Sequence, residues 1–84
     1  MKQRTTGEHL EALDLARDGL WDEAHRLIQN YSDELACLIH AYLHREEGDL
    51  GNANYWYRRV GIDTPNESPE DELARLYRLA QEKR

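Results

Sequence analysis

The sequence predicts an all-α fold: about five helices, folded as two helical hairpins with a C-terminal capping helix. Three observations predict it. Apolar residues recur three and four positions apart along most of the chain, the spacing of one helix face. Glycines stand where the stripes stop, at Gly19, Gly48 and Gly61. Gly19 and Gly48 are 29 residues apart, and Ala24 and Ala53 keep the same separation, so one hairpin repeats. The chain has 84 residues, which makes one domain.

Residues 1–7 are expected to form a flexible polar leader, ahead of a single helical domain over residues 8–82. The first helix is expected over about 8–18. Leu10, Leu13 and Ala16 share a face there, with Ala12 and Leu15 beside it, and Gly19 ends it. The second runs over about 21–30 on the stripe Leu20, Ala24, Leu27, Ile28 and Tyr31, with Asp22 and Glu23 at the positive end of its dipole. The third, about 33–46, is apolar on more than one side and is therefore expected to be central. Gly48 ends it and Asp49 is placed to cap the fourth. The fourth, about 50–60, turns Ala53, Tyr57 and Val60 inward, with Leu50 and Trp56 flanking. Ser68, Pro69, Glu70 and Asp71 make a strong start for the fifth, whose inner stripe is Leu73, Leu76, Tyr77 and Ala80.

A chain this short buries about 60–65% of the surface its unfolded form exposes, so its core is thin. There is no Phe, so Trp21, Trp56 and the tyrosines must supply much of the core area. The formal charge of −6 opposes nonspecific binding to nucleic acid and to anionic membrane. That charge sits in residues 1–57, with 11 acids and 5 bases, while residues 58–84 carry six of each. Cys37 is the single cysteine, which rules out an internal disulfide and suits a reducing compartment. No signal pattern opens the chain, and no apolar run nears the roughly 18–20 residues a spanning helix needs. A soluble cytoplasmic protein is expected.

The repeat has a family likeness. Gly48 and Asp49 stand in the interhelical turn, Ala53 follows at a crossing position, and Tyr57, Val60 and Pro65 come four, seven and twelve residues after it. Ala41 takes the small crossing position of the preceding helix. In these residues the second unit resembles the tetratricopeptide-repeat family, and the first unit keeps Ala12, Gly19 and Ala24. The second unit departs at Cys37, His40 and His44, where that family has bulky apolar or aromatic residues. The resemblance implies a concave surface that holds an extended peptide or a helix. Carried over, that surface is Leu35, Leu38, Tyr42 and Arg45, with the fifth helix as a polar-backed cap. The run from His40 to Asp49, with Asn52-Ala53 and Tyr55-Trp56-Tyr57-Arg58-Arg59, also looks like a group of small bacterial proteins of unassigned function, which implies no activity.

Cys37, His40 and His44 fall at i, i+3 and i+7, on one helix face. Three such donors begin a zinc site, with His25, Glu23 or Asp49 as the source of a fourth. Core packing is the weightier expectation, the histidines bonding to Asp49, Asn52 or tyrosine hydroxyls; a pH-responsive or partner-binding role comes next, and metal last. The chain shows no nucleophile elbow and no phosphate-binding glycine loop, so no enzyme, catalytic residue or cofactor is expected. Tyr55, Arg58 and Arg59 are expected on the surface, the arginines paired with Glu70, Asp71 or Glu72. The expected function is a non-enzymatic protein- or peptide-binding module, with self-association possible. The alternative is a small metal-binding or pH-responsive protein using His25, His40 and His44.

Overall fold

The computed structural model describes residues 5–82. It contains five helices: α1 Thr5–Arg17, α2 Trp21–Ile28, α3 Glu34–Glu46, α4 Leu50–Arg59 and α5 Pro69–Glu82. No strand occurs among the described residues, so the all-α expectation holds. Residues 1–4 of the expected leader lie outside the described residues, and residues 5–7 belong to the first turn of α1.

The helix ends are written in side chains. Asp33 accepts the Ala36 amide at 3.2 Å, Asp49 the Asn52 amide at 3.2 Å, and the Ser68 hydroxyl the Asp71 amide at 3.1 Å. Each bond satisfies one of the free donors that open a helix. Helix α2 differs: its cap position is Leu20, which offers no side-chain acceptor. Gly19 and Gly48 close α1 and α3 at φ 82° and 89°. There the chain turns through the left-handed region, and the next amide bonds back five residues: Leu20 to the Leu15 carbonyl, Asp49 to the His44 carbonyl, each at 2.9 Å.

Helix α1 packs on α2 and α3 on α4, the two expected hairpins, and α5 lies across α1 and α3. Helix α3 touches all four others. Its residues Leu35 through His44 are buried without a break, as expected of a helix apolar most of the way round. The core around it joins Leu13, Ile28, Ile39, Leu43, Tyr57 and Leu76, all with no exposed surface. The alanines at the crossings, Ala24, Ala41 and Ala53, are also fully buried and let the backbones approach. Leu50 departs from its expected flanking role and is 57% exposed. It sits in the first turn of α4. Among the described residues no helix is long and apolar enough to cross a membrane.

Candidate functional site

The unusual residues of the central helix gather at the seam between the hairpins. His40 and His44 stand one turn apart on α3, so their rings stack, with centroids 5.0 Å apart. His25 comes from α2, and its Nε2 meets His40 Nε2 at 3.0 Å. One ring nitrogen from each of the three histidines lies within 4.8 Å of the other two. His40 and His44 are 6% and 7% exposed, and His25 is half-buried.

Two indoles wall the cluster. Trp21 stands one turn before His25 on α2 and stacks on it, with centroids 4.8 Å apart. Its Nε1 donates to the Leu43 carbonyl at 2.6 Å, which pins α2 to α3. Trp56 of α4 stacks on His40 at 4.0 Å, and the Arg59 guanidinium covers that indole at 4.9 Å. The site thus draws on three helices.

The protonation pattern follows from the partners. His44 Nδ1 lies 2.8 Å from Glu47 Oε2. A carboxylate only accepts, so His44 Nδ1 carries the proton in this contact. Burial, then the neighbouring His25 and His44, pushes the His40 pKa down to about 4. Burial and His44 lower His25 as well, against the pull of Glu47 and Asp22. Both rings are therefore neutral at neutral pH, the form in which imidazole binds metals.

The donor set fits a metal. Tetrahedral zinc takes imidazole nitrogens at about 2.0–2.1 Å, which spaces neighbouring nitrogens about 3.3 Å apart, so the His25–His40 distance needs only a small ring rotation. The Glu47 contact is the outer-shell carboxylate that typically orients a ligating histidine.

Several expectations need correction. The histidines bond to each other and to Glu47, whereas Asp49, Asn52 and the tyrosines were the expected partners. Asp49 is spent on the Asn52 amide and side chain. Cys37 shares the helix face but not the cluster: its thiol faces the Ser32 carbonyl at 3.7 Å, and burial raises its pKa. Cys37 stands about 10 Å further along the helix axis than His44, towards the open end of the α3–α4 hairpin. There it lines a groove of about 540 Å³ with Arg58 and Arg59.

The implied concave flank is filled by α5. Leu35, Leu38 and Tyr42 are 1%, 8% and 2% exposed, which leaves clefts of about 110 Å³ beside Leu79 and about 270 Å³ beside Pro69. Arg45 donates to Glu72 at 2.7 Å and to the Glu67 carbonyl. Glu72 is fully buried and also accepts from the Tyr57 hydroxyl at 2.5 Å. It is therefore the partner of Arg45, while Arg59 lies on Trp56 and its Nη1 donates to the Tyr55 hydroxyl at 3.3 Å. Tyr55, Arg58 and Arg59 are exposed, as expected.

The sequence reading missed three residues. Glu72 precedes Leu76 and Ala80 by four and eight, in phase with the buried stripe, and its charge concealed that. His9 is 1% exposed and holds Asp33 at 2.8 Å; its spacing to Leu13 and Ala16 carried the signal. Trp21 precedes His25 by one turn, a pairing that helical spacing exposes. No protein-family model, no curated protein and no solved structure matches the chain.

Proposed function

We propose that the protein is a small helical metal-binding protein in which His25, His40 and His44 hold one late first-row divalent cation, zinc foremost. The observation that carries this is the convergence of three imidazoles within 4.8 Å, from two helices, at a buried seam. All-nitrogen borderline donors suit zinc, copper(II), nickel or cobalt over magnesium or calcium. The Glu47 contact supports it, because a carboxylate on one ring nitrogen orients a histidine for ligation through the other. The proposal stops at binding and assigns no reaction. The free thiol of Cys37 supports placing the protein in the cytoplasm.

Equilibrium dialysis against zinc followed by elemental analysis tests it. One zinc per wild-type chain is expected, and little in His25→Ala, a half-buried position outside the fully buried core. Wild-type protein that emerges metal-free, or a variant that retains its zinc, would sink the proposal.

A second, compatible reading is a docking face for a protein or peptide partner, or for a second copy. It is favoured by α4, whose outer side exposes Leu50 and Tyr55 beside Arg58 and Arg59, with Ile62 just beyond. The tetratricopeptide-like pattern of this hairpin supports the same reading. Partner capture and oligomeric state that both survive Tyr55→Ala with Arg58→Ala would remove it.

A further inference from the structure

The number of donors at the seam is as informative as their kind. Zinc and cobalt(II) in a site of this kind take four ligands, and the seam offers three. Among the described residues no fourth histidine, cysteine or carboxylate donor lies within 4.8 Å of all three imidazoles. Glu47 and Asp49 come within 4.8 Å of a His44 nitrogen but group with neither His25 nor His40. Glu47 is held by His44 Nδ1 at 2.8 Å. Asp49 caps α4. The Cys37 thiol is turned to the Ser32 carbonyl.

We infer that the metal site is open: its fourth position takes water or a small external anion, not a side chain of this protein. The inference rests on the three-histidine reading above and adds what that reading leaves open. A ligating imidazole is neutral, so three of them leave the full charge of a divalent cation in place, and Glu47 beside His44 offsets part of it. The remaining positive charge, in a partly desolvated setting, favours an anion over a neutral ligand. Size is limited by the walls. Trp21 stacks on His25 and Trp56 on His40, and Trp21 and His25 are both half-buried, so entry is along the edge of this pair on α2. The two indoles favour an anion of azide or carboxylate size over a bulky ligand. Binding is simple substitution: an anion lone pair forms the new metal bond, the bound water leaves as water, and no electron is transferred.

Cobalt(II) is the probe, since its visible bands report coordination. The wild-type chain is loaded with one cobalt and titrated with azide, with dialysis to verify that the metal stays bound. A saturable shift of the visible bands with cobalt retained is the expected result. Bands that do not move while cobalt stays bound would show a closed site and overturn the inference, leaving the three-histidine reading intact. A thiolate-to-cobalt absorption that vanishes in Cys37→Ser would also overturn it, by naming Cys37 as the fourth ligand. Failure to bind cobalt or zinc at all would overturn both.

Discussion

Two clusters of buried polar side chains meet α3, and they are wired differently. On the α5 side, Glu72 accepts from Tyr57 and Arg45, and Arg45 also reaches the Glu67 carbonyl. Each charge there has an opposite charge or a fixed dipole as its partner. On the α2 side, three imidazoles face one another, with Glu47 outside. The first cluster is completed by the protein and does the work of architecture, tying α3, α4 and α5 together. The second brings three ring nitrogens together, with one proton shared between His25 and His40 that a cation would displace. Burial alone does not separate the two; the donor and acceptor inventory does.

Breaking the first cluster has the largest expected effect. Glu72→Ala leaves Arg45 largely buried without its carboxylate and is expected to cost about 3–5 kcal/mol, read from the denaturant midpoint. A cost under about 1 kcal/mol would mean that α5 docks without this network. The second cluster responds to metal instead. Zinc at a hundred times its Kd is expected to raise stability by about 2.7 kcal/mol. The same zinc leaves His25→Ala unmoved, and an equal rise in both proteins would place the metal elsewhere.

A smaller effect probes the outer shell. Glu47→Gln keeps the shape but weakens the hold on His44, and roughly 10-fold or more of zinc affinity is expected to go. Unchanged affinity would make the Glu47 contact incidental. The smallest effect is on the metal-free protein. His40 has a folded pKa of about 4, below its ordinary 6.5, so its contribution is fully present above pH 6.5 and is lost as pH falls towards 4. His25 from α2, His44 beside it on α3 and Trp56 with Arg59 from α4 face that ring. Screening discounts the effect to about 1 kcal/mol, or roughly 4–8 °C in Tm between pH 7 and pH 5. His40→Leu is expected to flatten that slope, and a variant with the wild-type slope would assign the titration to another group.

The contrast between the clusters also marks where sequence reasoning runs out. Helix number and ends were legible because they are local: a stripe, a capping Asp or Ser, a left-handed Gly. The centrality of α3 was legible too, since apolar residues circle it. The register between helices was not. Cys37, His40 and His44 share a face by spacing, yet only the two histidines meet His25, because the α2–α3 crossing selects which turns of α3 face Trp21 and His25. The buried Glu72 was read as surface because charge outweighed phase. The concave flank was carried over from a family whose arrays run on, whereas here α5 folds back over Leu38 and Tyr42.

X-ray absorption at the metal edge of the zinc-loaded protein tests the central claim most directly. Three imidazole nitrogens and one further light atom at about 2.0–2.1 Å are expected, with no sulfur. A zinc–sulfur distance of about 2.3 Å, or fewer than three imidazoles, would contradict it.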